Sequence, residues 1–149
     1  MLRALTSADL DRICRYRELM FLEAGRDPEA LCGMSVPFRQ WLSPRLADGR
    51  YFGFMVQTDC GTVGGVGLME IDWPPHPMHP DQARRGYVLN LYVEAAYRRR
   101  GIARELMNAA DQEFRRRGVK YAVLHATEAA GDFYRGLGWS GTREMAKAL

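Results

Sequence analysis

Residues 86–118 read GYVLNLYVEAAYRRRGIARELMNAADQEFRRRG, and the fold turns on how this stretch divides. Its first part, GYVLNLYVE, is rich in Val, Leu and Tyr, as a strand buried on both faces must be. Further on, Ala103, Leu106, Met107, Ala110 and Phe114 recur at the i, i+3, i+4, i+7, i+11 spacing of one apolar helical face, and Gly118 supplies the stop. Downstream, KYAVLHAT (120–127) reads as another strand, AGDFYRGLG (130–138) as a short helix closed by Gly136 or Gly138, and GTREMAKAL (141–149) as a last strand. Strand, helix, strand, helix implies a parallel pair joined by a right-handed crossover.

Working upstream, RYFGFMVQT (50–58) and TVGGVGLMEI (62–71) read as a hairpin around the turn DCG, with Gly64, Gly65 and Gly67 marking a weak place or a close backbone approach. Thr6 and Asp9 form an approximate capping box. Leu10, Ile13, Cys14, Arg17, Met20 and Phe21 then lie near one helical face, and Gly25 ends the helix. A second helix is expected from about Val36 to Asp48 with Ser35 as its N-cap and a kink or break at Pro44. DWPPHPMHPDQARR (72–85), with four prolines and two histidines, must be a loop, long enough to be suspected of function. The sum is one α/β domain, residues 1–149, with a mixed sheet of antiparallel strands followed by a parallel pair.

The chain has 149 residues, 47% hydrophobic and 26% charged, which suits a single water-soluble domain with a sizeable core. A formal charge of +3 favours anionic ligands without demanding nucleic acid. Cys14, Cys32 and Cys60 are odd in number and widely spaced, so they support neither a disulfide framework nor a zinc site. The opening MLRALTSADLDR lacks the apolar core of a signal peptide, and no apolar stretch reaches the roughly 20 residues of a membrane helix. A cytoplasmic location, away from membranes, is the default expectation.

YRRRGIA (97–103) stands where the strand hands over to the helix. A helix start leaves its first N–H groups unpaired and carries roughly half a positive charge, which makes such a turn an anion cradle. Gly101 and Ala103 keep it open, and Arg98, Arg99, Arg100 and Arg104 can reach further phosphates by charge-assisted hydrogen bonds. A ligand with several phosphates is indicated, against the plainer reading of a solvated arginine loop. Neither GxxxxGK[ST] nor GxGxxG occurs, which argues against a Walker loop and a dinucleotide site.

Arg98, Gly101 and Ala103 match the Q/R, two residues, G, one residue, G/A signature, and VLHATEAAGDFYRGLGW follows at a fitting distance. In these features residues 86–139 resemble the GCN5-related N-acetyltransferase (GNAT) family. The resemblance implies a sheet whose parallel strands splay apart, with helices on both faces, and acetyl-coenzyme A (acetyl-CoA) as cosubstrate. The diphosphate would rest on amides from about Arg99 to Ala103, through Gly101 and Ile102, with Arg98, Arg100 and Arg104 nearby. The pantetheine arm would pair with main-chain groups of Leu91 and Val93. Two features depart from the family: Glu128 and Ala129 stand where many members use Asn, and the loop Pro74–Arg85 matches no general pattern.

Acetyl transfer from a thioester to an amine needs a neutral amine, a stabilised oxyanion and a proton for the thiolate. Main-chain N–H of Leu91 or Val93 is the oxyanion candidate. Tyr134 lies where the family keeps its proton-donating tyrosine, and a phenol of pKa about 10 is close to an alkyl thiol in acidity. Glu70 is the first choice of base, with Asp72 and Glu94 as rivals. Asn90, set among apolar residues, needs a partner or faces substrate. His125 reads as a satisfied core histidine ahead of a proton relay. HPMHP has no known ligand spacing, so no metal is expected. Trp41, Trp73 and Phe38 could line an acceptor pocket. The expected function is N-acetylation of a primary amine on a small molecule or protein. The alternatives are a non-catalytic acyl-CoA-binding module and an RNA or DNA patch made by the arginines. The acceptor amine is the expected partner, nucleic acid is not, and a homodimer rests on no particular residue.

Overall fold

The computed structural model describes all residues 1–149. One sheet of five strands runs in chain order: β1 (Leu2–Ala4), β2 (Tyr51–Thr58), β3 (Gly61–Asp72), β4 (Arg84–Val93) and β5 (Ala122–Leu124). Neighbours are antiparallel except the last pair, where Gly86, Tyr87 and Val88 face Ala122, Val123 and Leu124 in parallel. The helices are α1 (Leu10–Glu23), α2 (Pro28–Ala47), α3 (Ile102–Arg116) and α4 (Gly131–Arg135).

Strand alternation sorts the side chains into two cores. Val56, Val63, Leu68, Val88 and Val93 pack with Leu106, Met107, Ala110 and Phe114 of α3. On the opposite face, Tyr51, Met55 and Tyr92 pack with Ile13 and Tyr16 of α1 and Phe38, Leu42 and Leu46 of α2. The expected mixed sheet with helices on both faces is therefore what forms. The glycines of β3 make the second face close-packed. A Cβ at Gly67 would stand 1.9 Å from the Tyr51 hydroxyl, and one at Gly65 would stand 2.4 Å from the Met55 sulfur.

Several sequence expectations are corrected. The N-terminal strand β1 was not anticipated; at three residues it is too short to show periodicity and exists through pairing with Phe54–Val56. Helix α2 starts at Pro28, with Asp27 as the N-cap accepting from the Glu29 N–H at 3.0 Å, eight residues before the expected start. Pro28 sits at the first helical position, where its missing N–H costs nothing. Ser35 does not cap: its hydroxyl donates to Glu18 at 2.6 Å, with the Leu31 carbonyl 3.0 Å away as the alternative acceptor. Pro37 and Pro44 both lie inside α2 without ending it, because Leu31, Phe38, Leu42 and Leu46 are buried and packing overrides the local cost. Residues 141–149 form no strand. Thr142, Arg143, Glu144 and Lys147 dilute their apolar content, and Met145 stays 93% exposed. The fold from α3 to β5 is as expected, and Gly25 closes α1 with a φ of +82° and its N–H bonded to the Leu22 carbonyl.

Candidate functional site

β5 covers only residues 86–88 of β4, so β4 from Leu89 to Val93 has a strand on one side alone. β5 ends there, at Leu124, and the same place carries a bulge. The β3–β4 register slips between Gly65 and Gly67, and Asn90 holds a φ of +55°, a conformation favoured by Asn among non-glycine residues. At the end of the strand the Glu94 N–H donates to the Val63 carbonyl, so by antiparallel alternation the groups of Val93 point to the free side. The Val93 carbonyl is there taken by Arg98 Nε at 2.9 Å.

The chain then turns into α3 through Arg99, at φ +63°, and Gly101, at φ +82°. The first helical bond runs from the Glu105 N–H to the Gly101 carbonyl, and the backbone N–H groups of residues 99–104 donate to nothing. Six consecutive bare amides at a 15-residue helix start carry both unpaired donors and the positive end of its dipole. They border a cavity of about 220 Å³ lined by Val93, Tyr97, Arg98, Arg99, Gly101, Ile102, Ala103, Arg104 and Phe133.

The arginines divide in role. Arg98 is held by the Val93 carbonyl, by an ion pair with Glu23 at 2.6 Å and by the Tyr92 ring beneath it. It locks the turn to α1 and to the end of β4. Arg100 donates to the Ala96 carbonyl at 3.1 Å and covers Tyr97, while Arg99 and Arg104 have no ion pair or hydrogen bond. Those two are free to meet an anion.

Tyr134 is half-buried against Phe133 and Trp139, and burial pushes its hydroxyl above the usual pKa. It lines a larger groove of about 700 Å³ between β5, α4, the end of α3 and residues 137–144, while its neighbour Phe133 faces the cradle cavity. The larger space contains none of residues 97–104. Glu70 is not brought to either. It is ion-paired with Arg84 and, at 3.5 Å, with Arg117 just past the C-terminal end of α3. A helix of 15 residues puts that end about 22 Å from the cradle at its start. Of the rival carboxylates, Glu94 accepts from the Tyr16 hydroxyl at 3.1 Å and pairs with Arg12 at 3.4 Å.

His125 is not a core histidine. Its side chain is 62% exposed just past β5, with the Tyr87 hydroxyl 2.7 Å from Nδ1 and a Glu144 oxygen 3.1 Å from Nε2. Asn90 is buried and has its partners: Nδ2 donates to the Tyr51 hydroxyl at 2.9 Å, and Oδ1 accepts from Arg17 at 2.7 Å. Arg17 and Tyr87, which contact Asn90 and His125, carry no distinguishing signal in the sequence. Both looked like ordinary members of an amphipathic helix and a strand. In the Pro-rich loop, His76 and His79 stack beside Tyr121, and buried His79 accepts from Arg85 Nε at 2.9 Å. No three His, Cys, Asp or Glu side chains converge as a metal-ligand group. Phe38 and Trp41 stack at 5.9 Å on α2, and Trp73 lies against Arg85. No helix is long and apolar enough to cross a membrane.

The family model "Acetyltransferase (GNAT) family" matches residues 11–139. Among solved structures, a GCN5-related N-acetyltransferase from Ralstonia eutropha is 53% identical, with a TM-score of 0.98 over 100% of this chain and 97% of that one. A predicted acetyltransferase from Clostridium acetobutylicum, crystallised with acetyl-CoA, is 19% identical, with a TM-score of 0.90 over 100% and 95%. An aminoglycoside acetyltransferase from an uncultured soil metagenomic sample is 19% identical, with a TM-score of 0.69 over 100% and 93%. No curated protein matches the sequence.

Proposed function

This chain belongs to the GNAT family of acetyltransferases, and from that premise we propose that it transfers the acetyl group of acetyl-CoA directly to a primary amine. The observation that carries the reading is the run of bare amides at residues 99–104, beside a β4 edge that β5 leaves uncovered. A diphosphate suits the amides together with Arg99 and Arg104. The amide-bearing arm of the cosubstrate suits main-chain groups on the free edge, where Leu91 and Val93 alternate toward it. Arg98 supports this arrangement through the Val93 carbonyl. The Clostridium relative with acetyl-CoA is consistent with the same use of the fold.

The cosubstrate supplies an activated thioester. The acceptor nitrogen forms a bond to the acyl carbon, the carbon–sulfur bond breaks, one amine proton goes to a base, and the sulfur takes a proton. An N–H of Leu91 or Val93 stabilises the oxygen as charge develops on it. Tyr134 protonates the sulfur. A phenol is protonated at neutral pH, as a donor must be, and burial pushes the Tyr134 hydroxyl further up. For the amine proton we assign His125, presented beside Tyr87 on the α1–α2 face, in preference to Glu70, which is committed to Arg84 and Arg117 at the far end of α3. Replacing His125 with Gln should lower kcat while leaving coenzyme A affinity in place; an unchanged kcat would remove that role.

One observation favours a second reading, an acyl-CoA-binding module without turnover: Tyr134 lines the groove beyond β5 and not the cradle cavity. Thiol release from acetyl-CoA, followed with amines, polyamines, amino acids and peptides, separates the two. Turnover with any acceptor supports transfer. Binding of coenzyme A without turnover of any acceptor supports the module. Absence of binding refutes both.

A further inference from the structure

Arg17, on α1, extends toward β4, where Nη1 donates to Asn90 Oδ1 at 2.7 Å. Its guanidinium lies 4.9 Å from the Phe21 ring centre and 4.5 Å from that of Phe38. Nε is fully buried and donates to nothing. No carboxylate pairs with it, and the ionisable groups that act on its charge are Tyr51, Tyr87 and Cys14. Burial pulls the guanidinium below its usual pKa. Buried Arg85, which likewise lacks an acidic partner, is satisfied in other ways: its Nε donates to His79 and its plane is covered by Trp73 and Tyr121. Arg17 therefore stands out as a cation with an unspent donor. Removing a charge from water without an opposite charge is costly, and an arginine fork is shaped to hold a carboxylate.

Its position adds the second half of the case. Asn90 is the bulge residue at φ +55°, and its amide is oriented by Tyr51, so its oxygen is fixed toward Arg17. Residue 90 lies just beyond Val88, the last residue of β4 that β5 covers. The unpaired cation thus stands on the α1–α2 face where the thioester edge begins, near the Tyr87–His125 pair.

We propose that Arg17 docks a carboxylate carried by the acceptor, so that the acceptors of this enzyme are small amino carboxylates whose amine reaches the free edge of β4. The inference rests on the acetyl-transfer reading and narrows its substrate class. The step is unchanged in balance: the acceptor amine gains the acetyl group, coenzyme A leaves as the thiol, and the carboxylate takes no covalent part.

The test pairs each of a set of L-amino acids with the corresponding amino-acid amide, in thiol release from acetyl-CoA by wild type and by Arg17→Gln. One hydrogen bond to a charged group corresponds to about 10- to 100-fold, so acids should exceed amides in kcat/KM by at least about tenfold. R17Q should bring that ratio close to one, with coenzyme A affinity unaffected. Amides turning over as well as acids would overturn the proposal while leaving acetyl transfer standing. If R17Q does not fold, the acid–amide comparison on wild type decides alone. If nothing in the panel turns over, the arginine Nε–H resonances of the coenzyme A complex are titrated with the same pairs. The Arg17 signal is assigned by its loss in Arg17→Lys. A shift with the acids alone supports carboxylate docking, and no shift refutes it.

Discussion

Replacing Gly101 with Ala separates backbone strain from ligand binding. Gly101 holds φ at +82°, and a Cβ built there meets no other atom within 4 Å. No clash is added, so the stability loss is the left-handed strain alone, about 1–2 kcal/mol. For a domain of this size each kcal/mol lowers Tm by about 2–4 °C, so a fall of about 2–8 °C is expected. Binding should suffer separately, because the methyl group stands among the bare amides of residues 99–104. Displacing the diphosphate from even one charge-assisted bond corresponds to about 10- to 100-fold in Kd. Gly49 supplies the control, with φ at +81°, the same open surroundings and a place in the α2–β2 turn away from the cradle. Gly49→Ala should lose a similar amount of Tm and bind coenzyme A as wild type does. Circular-dichroism melts and calorimetric titration with coenzyme A read both quantities. If G101A and G49A bind coenzyme A equally well, the amide cradle is not the anion seat and the reasoning fails.

Tyr134→Phe should lower kcat about 100-fold or more without weakening coenzyme A binding; an unchanged rate at saturating acceptor would remove the tyrosine from the chemistry. Gly67→Ala drives a Cβ to 1.9 Å from the Tyr51 hydroxyl, in the core and beside its bond with Asn90. Overpacking and the disturbed hydrogen bond together should cost about 2–4 kcal/mol in urea unfolding, and a wild-type midpoint would contradict that packing. Arg116 hydrogen bonds lower the Glu113 carboxyl from 4.5 to about 2, against the opposing effect of burial and with further help from Arg117. A lowered folded-state pKa contributes stability that is present above 4.5 and lost as pH falls toward 2. Glu113→Gln should flatten the stability–pH curve in that window, and an unchanged slope between pH 4.5 and 2 would show that the ion pair is not coupled to folding.

The elements from residue 86 to 138 were legible because each carries a strong local signal. A Val- and Leu-rich run, an apolar stripe at helical spacing and glycines at positive φ need no knowledge of partners. The start of α2 was misplaced because Ser35 and Pro44 looked like punctuation, whereas Asp27–Pro28 was the true entry and a buried face carried the helix through two prolines. The expected C-terminal strand does not form because residues 141–149 carry no apolar alternation and are all exposed, with nothing that buries them.

The sequence by itself determined the mixed sheet and the bare amides at the start of α3, since unpaired N–H groups at a helix start follow from the order of residues 97–104 alone. The tertiary structure decided which side chains share a site. Arg17 and Asn90 lie 73 positions apart and meet only because α1 packs across the β4 bulge. Pairing of β4 with β5 made His125 an exposed partner of Tyr87, and α3 packing on β3 and β4 put Glu70 between two arginines at the far end of α3. Strand register and helix facing set such meetings, and they depend on the whole core closing at once, which no local run of residues encodes.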